Sequence, residues 1–507
     1  YCPGSALGAE DLLDNGHDVA VIDYHTGDVY DTPAALARLS YYGLGGTPTA
    51  WFDGGSPYVG GNHTTSMYSN YLPKYNERIA IPSSFTLDVH GVVAGPNAFE
   101  IAVTVEKVAT FSEAVVLHVV FIESDIAQSW QGLSVLNHVA RLMVPNQIGT
   151  PLDFSSGDVL TKVLFLDLDP SWVISNSQVI VFVQDPSSKE VQQGTIHDLS
   201  GFPSYAVEAS VRKVYAPKSV CEDAIVPKVM IANNGTENLT SLEIVYDVNG
   251  ESQMSFNWSG NLGSYETETV LLDEITFTPQ AQNSLNIAGN NPNGQTDEFI
   301  YNNESAFVME EAANVSSPVS LALKLDDNPE ETSWELLDGE GTVLYSGGGY
   351  TTAGQFIIEQ FDLNDNDCYM FKIYDEGGDG LTGAASFKLA YDGSNIFAEG
   401  KAFGFEDQLQ FGIGLTGIDD VALQGDFRIY PNPMRDLATV SFSLDRPETI
   451  SLTVYNALGE IIHQIKTTAY APGNHNILLD SEVFGEGLFF VEMNLGKKRI
   501  TRKLIVN

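Results

Sequence analysis

The sequence predicts a multidomain, mainly β protein: a partial α/β domain, then three β-sandwich domains, then a small C-terminal β-sandwich. Three observations carry this. Beyond residue 80, short runs alternate apolar and polar side chains with a period of two, and Gly, Pro and Asn punctuate them at sandwich spacing. Helix-patterned segments alternate with strand-patterned ones only at the front, the mark of an α/β layer. The 507 residues exceed what one core holds and divide into about three to five domains. The expected boundaries are 1–80, 81–212, 213–312 and 313–411, a linker at 412–426, and a last domain at 427–507.

Hydrophobic residues make up 43% of the chain, enough for packed cores. No run approaches the ~18 apolar residues of a membrane span, so no transmembrane segment is expected. Tyr1 opens no signal-peptide pattern, so processing or a missing stretch is expected before it. The net charge of −43 is uneven: residues 427–507 hold 9 Lys/Arg and 8 Asp/Glu, whereas residues 1–426 hold 15 and 59. Between Lys228 and Lys324 there is neither Lys nor Arg. Such a surface repels phosphate backbones and anionic membranes, which excludes nucleic acid as a partner. It suits an extracellular protein kept soluble by charge, or one that gathers cations. Three cysteines, Cys2, Cys221 and Cys368, fall in three different domains, which argues against a disulfide-stapled scaffold and leaves at least one without a partner.

In the first domain, Ala6 to Leu13 has helical spacing behind Cys2-Pro3-Gly4-Ser5. Asp18 to His25 reads as a buried strand. Thr32 to Tyr42 is a helix with Thr32 as N-cap and Pro33 at its first position. Thr47-Pro48 precedes the strand-like Thr49 to Asp53, and a helix from about His63 to Arg78 closes the domain. Cysteine at a helix start, strand, helix, then Thr-Pro before a strand resembles a thioredoxin-like fold, in the form found in Omp28-related surface proteins of Bacteroidota. The resemblance implies that Pro48 is a cis-proline facing the reactive cysteine, with Cys2 and Pro48 as the residues of any redox site. Two alignments stay open. Either Cys2 is the nucleophile and Ser5 replaces its resolving partner, or Tyr1-Cys2-Pro3 ends a longer motif whose first cysteine lies upstream. A thiolate at a helix N-terminus is stabilised, which would lower the pKa of Cys2; a lone cysteine still cannot complete a dithiol cycle.

The second domain shows strands at 84–92, 99–107, 114–123, 139–144, 159–168 and 178–184. Asn137, His138 and Trp172 form no catalytic constellation there. The third shows strands at 227–233, 239–248, 255–258 and 267–272. Its Ile231-Ala232-Asn233-Asn234-Gly235 and Tyr301-Asn302-Asn303-Glu304 resemble Ig-like adhesion modules of bacterial surface proteins. In the fourth, strands at Trp334–Asp338 and Tyr369–Tyr374 are clear, and the second runs into Asp375-Glu376-Gly377-Gly378-Asp379-Gly380. Hard carboxylate oxygens with glycines that let the backbone fold round them are what Ca²⁺ takes. The loop resembles those of CUB-like secreted sandwiches. Asp375 and Asp379 are the candidate ligands, and Asp326 completes the set if its loop lies at the same end. An acidic solvated turn is the plainer alternative, and the EF-hand spacing is absent.

The tail opens with Tyr430-Pro431-Asn432-Pro433, continues through Val454-Tyr455-Asn456, Gly459, Pro472-Gly473 with His475 and Gly487, and ends in basic and apolar residues including Lys503. In that order these motifs resemble the type A C-terminal sorting domain of Bacteroidota type IX secretion cargo. The resemblance implies passage through the type IX translocon with its outer-membrane shuttle protein as partners, and arrival at the cell surface or outside the cell.

Function upstream of the tail reads as binding or structure. The nine histidines are scattered, with no HExxH pair, so zinc hydrolysis has no support. Surface glycans or proteins are the expected ligands, and exposed sheet edges would permit self-assembly. The alternative is a thiol-disulfide oxidoreductase built on the front domain. A hydrolase with a dispersed site ranks third.

Overall fold

The computed structural model describes residues 2–393, 395–415, 427–435, 437–444, 447–456, 461–485, 487–495 and 498–506. They fall into two compact units, Tyr1–Glu311 and Ala312–Asn507.

The first unit begins with helices α1 (Cys2–Asp14), α2 (Pro33–Tyr42) and α3 (Tyr68–Ile79) and an antiparallel hairpin of Thr49–Phe52 with Ser56–Val59. The Thr32 hydroxyl accepts the Ala35 N–H at 3.0 Å, Pro33 opens α2, and Gly43 closes it at φ 75°. α3 starts five residues later than expected, because the Asn62 side chain accepts the N–H groups of Thr64 and Thr65 and holds that stretch in a turn.

The segment 18–25 differs from its expected strand. It makes one parallel bridge, Asp23 to Val139, and its apolar side chains find another home. Ile22 and Tyr24, with Ala34 of α2, pack on Val120, Ile122, Ala140, Met143, Ile180 and Phe182 of the next domain's sheet. The front domain therefore rests on a sandwich face instead of a parallel sheet of its own. Arg38 of α2 seals the contact. It is buried, donates to Gln184 Oε1 at 2.7 Å and to the Tyr42 hydroxyl at 2.8 Å, and its guanidinium lies 4.7 Å from the Tyr41 ring.

The second domain is a sandwich. One sheet orders Val159–Asp167, Ala98–Lys107, Phe85–Gly95; the other orders Val191–Asp198, Ser177–Gln184, Val115–Glu123, Val139–Val144, with Thr150–Leu152 also on Val115–Glu123. All six expected strands are present, and Phe85, Ile101, Leu117 and Phe121 lie in the core between the sheets. In the third domain Ala209–Tyr215 pairs with Lys228–Asn233, which pairs with Thr267–Leu271. Its sheet therefore begins at Ala209, ahead of the expected boundary at 213. Facing it are Ser219–Val220, Glu304–Glu311, Gln282–Asn290, Leu239–Val248 and Glu251–Leu262 in that order.

In the second unit, the fourth domain stacks Ala313–Val315, Glu406–Ile413, Asp367–Asp375, Thr332–Leu337, Val343–Gly347 on Phe356–Phe361, Val319–Lys324, Ser386–Tyr391, Asn395–Gly400. Trp334, Tyr369, Phe371, Phe387 and Phe411 fill the space between. The last domain pairs a three-stranded sheet (Arg428–Tyr430, Leu437–Leu444, Gly473–Asp480) with a four-stranded one (Ile461–Tyr470, Glu448–Asn456, Gly487–Leu495, Lys498–Val506). Its own core includes Phe427, Val440, Leu452, Val491 and Leu504. Residues 416–426 of the expected linker lie outside the described residues.

Candidate functional site

One end of the fourth domain collects carboxylates. Asp375 is the last residue of its strand, and the chain turns through Gly377, Gly378 (φ 82°), Asp379 and Gly380 (φ 70°). Only glycine adopts those two conformations without strain. Asp375 Oδ1 accepts the N–H groups of Gly378 at 2.6 Å and Asp379 at 3.1 Å, so the loop folds back over its own carboxylate. Across from it, Thr332 pairs in register with Asp375, which delivers Glu331 to the same spot. One oxygen each from Glu331, Asp375 and Asp379 lies within 4.8 Å of the others. Burial raises the pKa of Asp375, with Asp379 adding to it against the loop N–H groups; Glu331 is raised too, by desolvation and by its two acidic neighbours.

Asp326 is at this end of the sandwich, as its expected role required, but it makes different bonds. Its Oδ2 accepts the N–H and hydroxyl of Thr382, and its Oδ1 the N–H of Asn328. Burial is outweighed by these donors, which hold its pKa below the usual range. Its loop thus fastens the 376–382 loop, while Glu331 supplies the third carboxylate. Glu331 was not singled out from sequence, although Asp326-Asp327 and Glu330-Glu331 flank one turn.

Cys2 begins α1 and is half-buried, with a free thiol. It sits beside Thr47, whose bond to Pro48 is cis. The start of α1 and the Thr47–Pro48 bond, expected to meet at a redox site, are therefore neighbours. The expected activation of the thiol is not found: burial raises its pKa and the Asp23 carboxylate raises it further. Ser5, in the position of a resolving cysteine, is hydrogen-bonded to the Tyr71 hydroxyl at 2.5 Å.

Part of the tail motif set meets at the final strand. Tyr430-Pro431 and Asn432-Pro433 are both cis, and all four residues are exposed. The Asn432 side chain pairs with the final strand, donating to the Lys503 carbonyl at 2.7 Å and accepting the Ile505 N–H at 2.9 Å. Gly487 opens the neighbouring strand opposite Val506. Gly459 lies outside the described residues.

Residues 428–507 match the secretion system C-terminal sorting domain family. That match indicates export by the type IX secretion machinery to the cell surface or extracellular space. Among the described residues, no helix is long and apolar enough to cross a membrane. No curated protein matches the chain. Among solved structures, HBP35 of Porphyromonas gingivalis aligns at 14% identity over 61% of this chain and 93% of its own, with a TM-score of 0.36. The CARDB domain of a Pyrococcus furiosus protein, solved in complex with di-metal ions, aligns at 19% identity over 23% of this chain and 98% of its own, with a TM-score of 0.19. A biofilm associated protein BSP domain covers 84% of this chain and 96% of its own at 10% identity, with a TM-score of 0.16.

Proposed function

We propose that this is a multidomain binding or structural protein displayed on the surface or released, delivered by the translocon and its outer-membrane shuttle, which read the exposed edge around Tyr430–Pro433 and Lys503. The observation that carries this reading is the sorting-domain tail joined to acidic β-sandwiches with no catalytic constellation among the described residues. Surface glycans or proteins are its ligands. In the fourth domain Glu331, Asp375 and Asp379 hold Ca²⁺, which would neutralise three crowded carboxylates and pin two loops together. In a type IX-competent host, deleting 427–507 should trap the cargo in the periplasm; equal secretion without the tail would sink the reading. A glycan and surface-protein array should find a ligand whose binding Cys2→Ser leaves unchanged.

The alternative, a thioredoxin-like thiol-disulfide oxidoreductase, draws support from Cys2 lying beside the Thr47–Pro48 turn. The raised thiol pKa and the engaged Ser5 weigh against it. Disulfide reduction abolished in Cys2→Ser would establish it, and a complete gene that encodes no cysteine three positions before Cys2 would remove the dithiol mechanism.

A further inference from the structure

Where the second and third domains join, buried polar side chains meet that the sequence did not advertise. The connection before strand Glu304–Glu311 sets Phe299 on Val92 and Ala102 of the second domain and stacks Tyr301 on His90, ring centroids 4.8 Å apart. In the same joint lie three buried acids: Glu100, Glu208 at 0% exposure and Asp297 at 7%. Buried charge of this kind persists only when it is compensated. Glu100 is. Arg212 donates to its Oε1 through Nε at 3.0 Å and Nη2 at 2.9 Å, Ser210 adds its hydroxyl, and Asn302 Nδ2 reaches Oε2 at 2.6 Å. Arg212 also donates to Asn234 Oδ1 at 2.8 Å and lies over the Phe165 ring, so its charge is committed there.

Donors divide unequally between the other two acids. Asp297 Oδ2 accepts the Ala209 N–H at 3.0 Å, and its Oδ1 accepts the Phe299 N–H at 3.1 Å. The Asn303 amide, oriented by its neighbours, adds a donor 3.2 Å from Oδ2. Glu208 Oε1 accepts from Asn302 at 2.7 Å and Asn234 at 3.1 Å. Its Oε2 is buried without a donor among the described residues, and the carboxyl faces that of Asp297. Two facing carboxyls out of water cannot both ionise, so one of them holds a proton. The donors decide which: N–H groups favour the charged form of Asp297, and Glu208 Oε2 is the oxygen left to carry the proton. Burial and Asp297 accordingly raise Glu208 from 4.5 to about 10, against the bonds from Asn302 and Asn234. Among the described residues, the other charged or titratable groups at the pair are the Glu100–Arg212 ion pair, Tyr205, which burial raises, and Glu298 beside Tyr205. None of them brings Glu208 a positive charge.

We propose that a single proton, carried by Glu208 and shared with Asp297, locks the joint between the second and third domains and makes that lock pH-dependent, tighter in acid and looser in alkali. Opening the joint to water returns Glu208 to an ordinary carboxyl, so opening releases one proton wherever the pH lies between 4.5 and about 10. The lock is at full strength below pH 4.5 and is lost as pH rises through about 10. Between those limits each unit of pH makes opening about tenfold easier.

Hydrogen exchange on the full chain reads the opening at the Ala209 and Phe299 amides, which Asp297 holds. From about pH 6 to about pH 9, corrected for the intrinsic rate, their protection should fall about tenfold per pH unit in the wild type. It should stay level in Glu208→Gln, whose neutral amide can donate to Asp297 but has no proton to release. At about pH 8, where ordinary carboxyls are ionised, the infrared spectrum of the wild type should contain a protonated-carboxyl carbonyl band that Glu208→Gln lacks. Should that variant fail to fold, the wild-type band and the wild-type slope decide by themselves. Absence of the band, or protection that does not vary with pH in the wild type, overturns the proposal. A folded Glu208→Gln that keeps either the band or the slope overturns it as well.

Discussion

His25 is buried between two carboxylates, with Nδ1 2.8 Å from Asp28 Oδ2 and Nε2 3.6 Å from Asp23 Oδ2. Burial alone would lower its pKa, but the two acids outweigh burial and raise it from 6.5 to about 9. His118 is the opposite case. It is buried against Phe182, ring centroids 4.9 Å apart, and burial with the nearby Arg38 pushes it down to about 3. Linkage gives each a sign. The folded state holds the His25 proton more tightly than the unfolded chain, so its contribution is complete below pH 6.5 and fades as pH rises through 9. The folded state resists protonating His118, so that contribution is complete above pH 6.5 and lost as pH falls toward 3. His25→Gln should therefore flatten the alkaline limb of a stability–pH profile, costing on the order of 1–2 kcal/mol at neutral pH, less than the full shift because Asp23 is half exposed. His118→Gln should flatten the acid limb. Denaturant midpoints across pH 4 to 10 check both, and an unchanged alkaline slope in His25→Gln would rule out this origin.

α2 depends on its first turn. The Thr32 hydroxyl satisfies one of the N–H groups that a helix start leaves free, so Thr32→Ala should cost about 1 kcal/mol and Thr32→Ser should restore most of it, read from urea midpoints. This helix was legible because the Thr32 cap and Pro33 are local signals. The segment 18–25 was only half legible: its apolar residues announced burial, but not that the cover would be the outer face of another domain's sheet. Strands Val191–Asp198, Gln282–Asn290 and Glu304–Glu311 went unread because Gln, Asn, Gly or Glu dominates them and pairing, not propensity, makes them strands. The carboxylate cluster divides the same way. Asp375 and Asp379 lie in one glycine-rich turn and show themselves, whereas Glu331 joins them only through the register that sets Thr332 against Asp375. Likewise, nothing local connects Glu208 with Asp297, which meet through the fold of the joint.

Across the whole molecule the mainly β, multidomain character was written in periodicity and punctuation, and the contrast of charge between the tail and the residues before it in composition alone. That contrast carries a physical consequence. Residues 1–426 bear −44 and residues 427–507 bear +1, so self-repulsion opposes folding in the sandwiches and is nearly absent from the sorting domain. Raising NaCl from about 10 mM to about 150 mM shortens the screening length from about 30 Å to about 8 Å. Repulsion between surface carboxylates further apart than that is removed, while buried contacts such as Arg212 with Glu100 are screened little. Calorimetry of the full chain should therefore show the transitions of the acidic domains rising by a few degrees, on the order of 1 kcal/mol, and that of the tail staying within about one degree. Calcium at matched ionic strength should lift the acidic domains further, because coordination adds to screening where carboxylates converge. Equal shifts in every transition would show that the salt acts on something common to all domains, and that the charge contrast has no part in their stability.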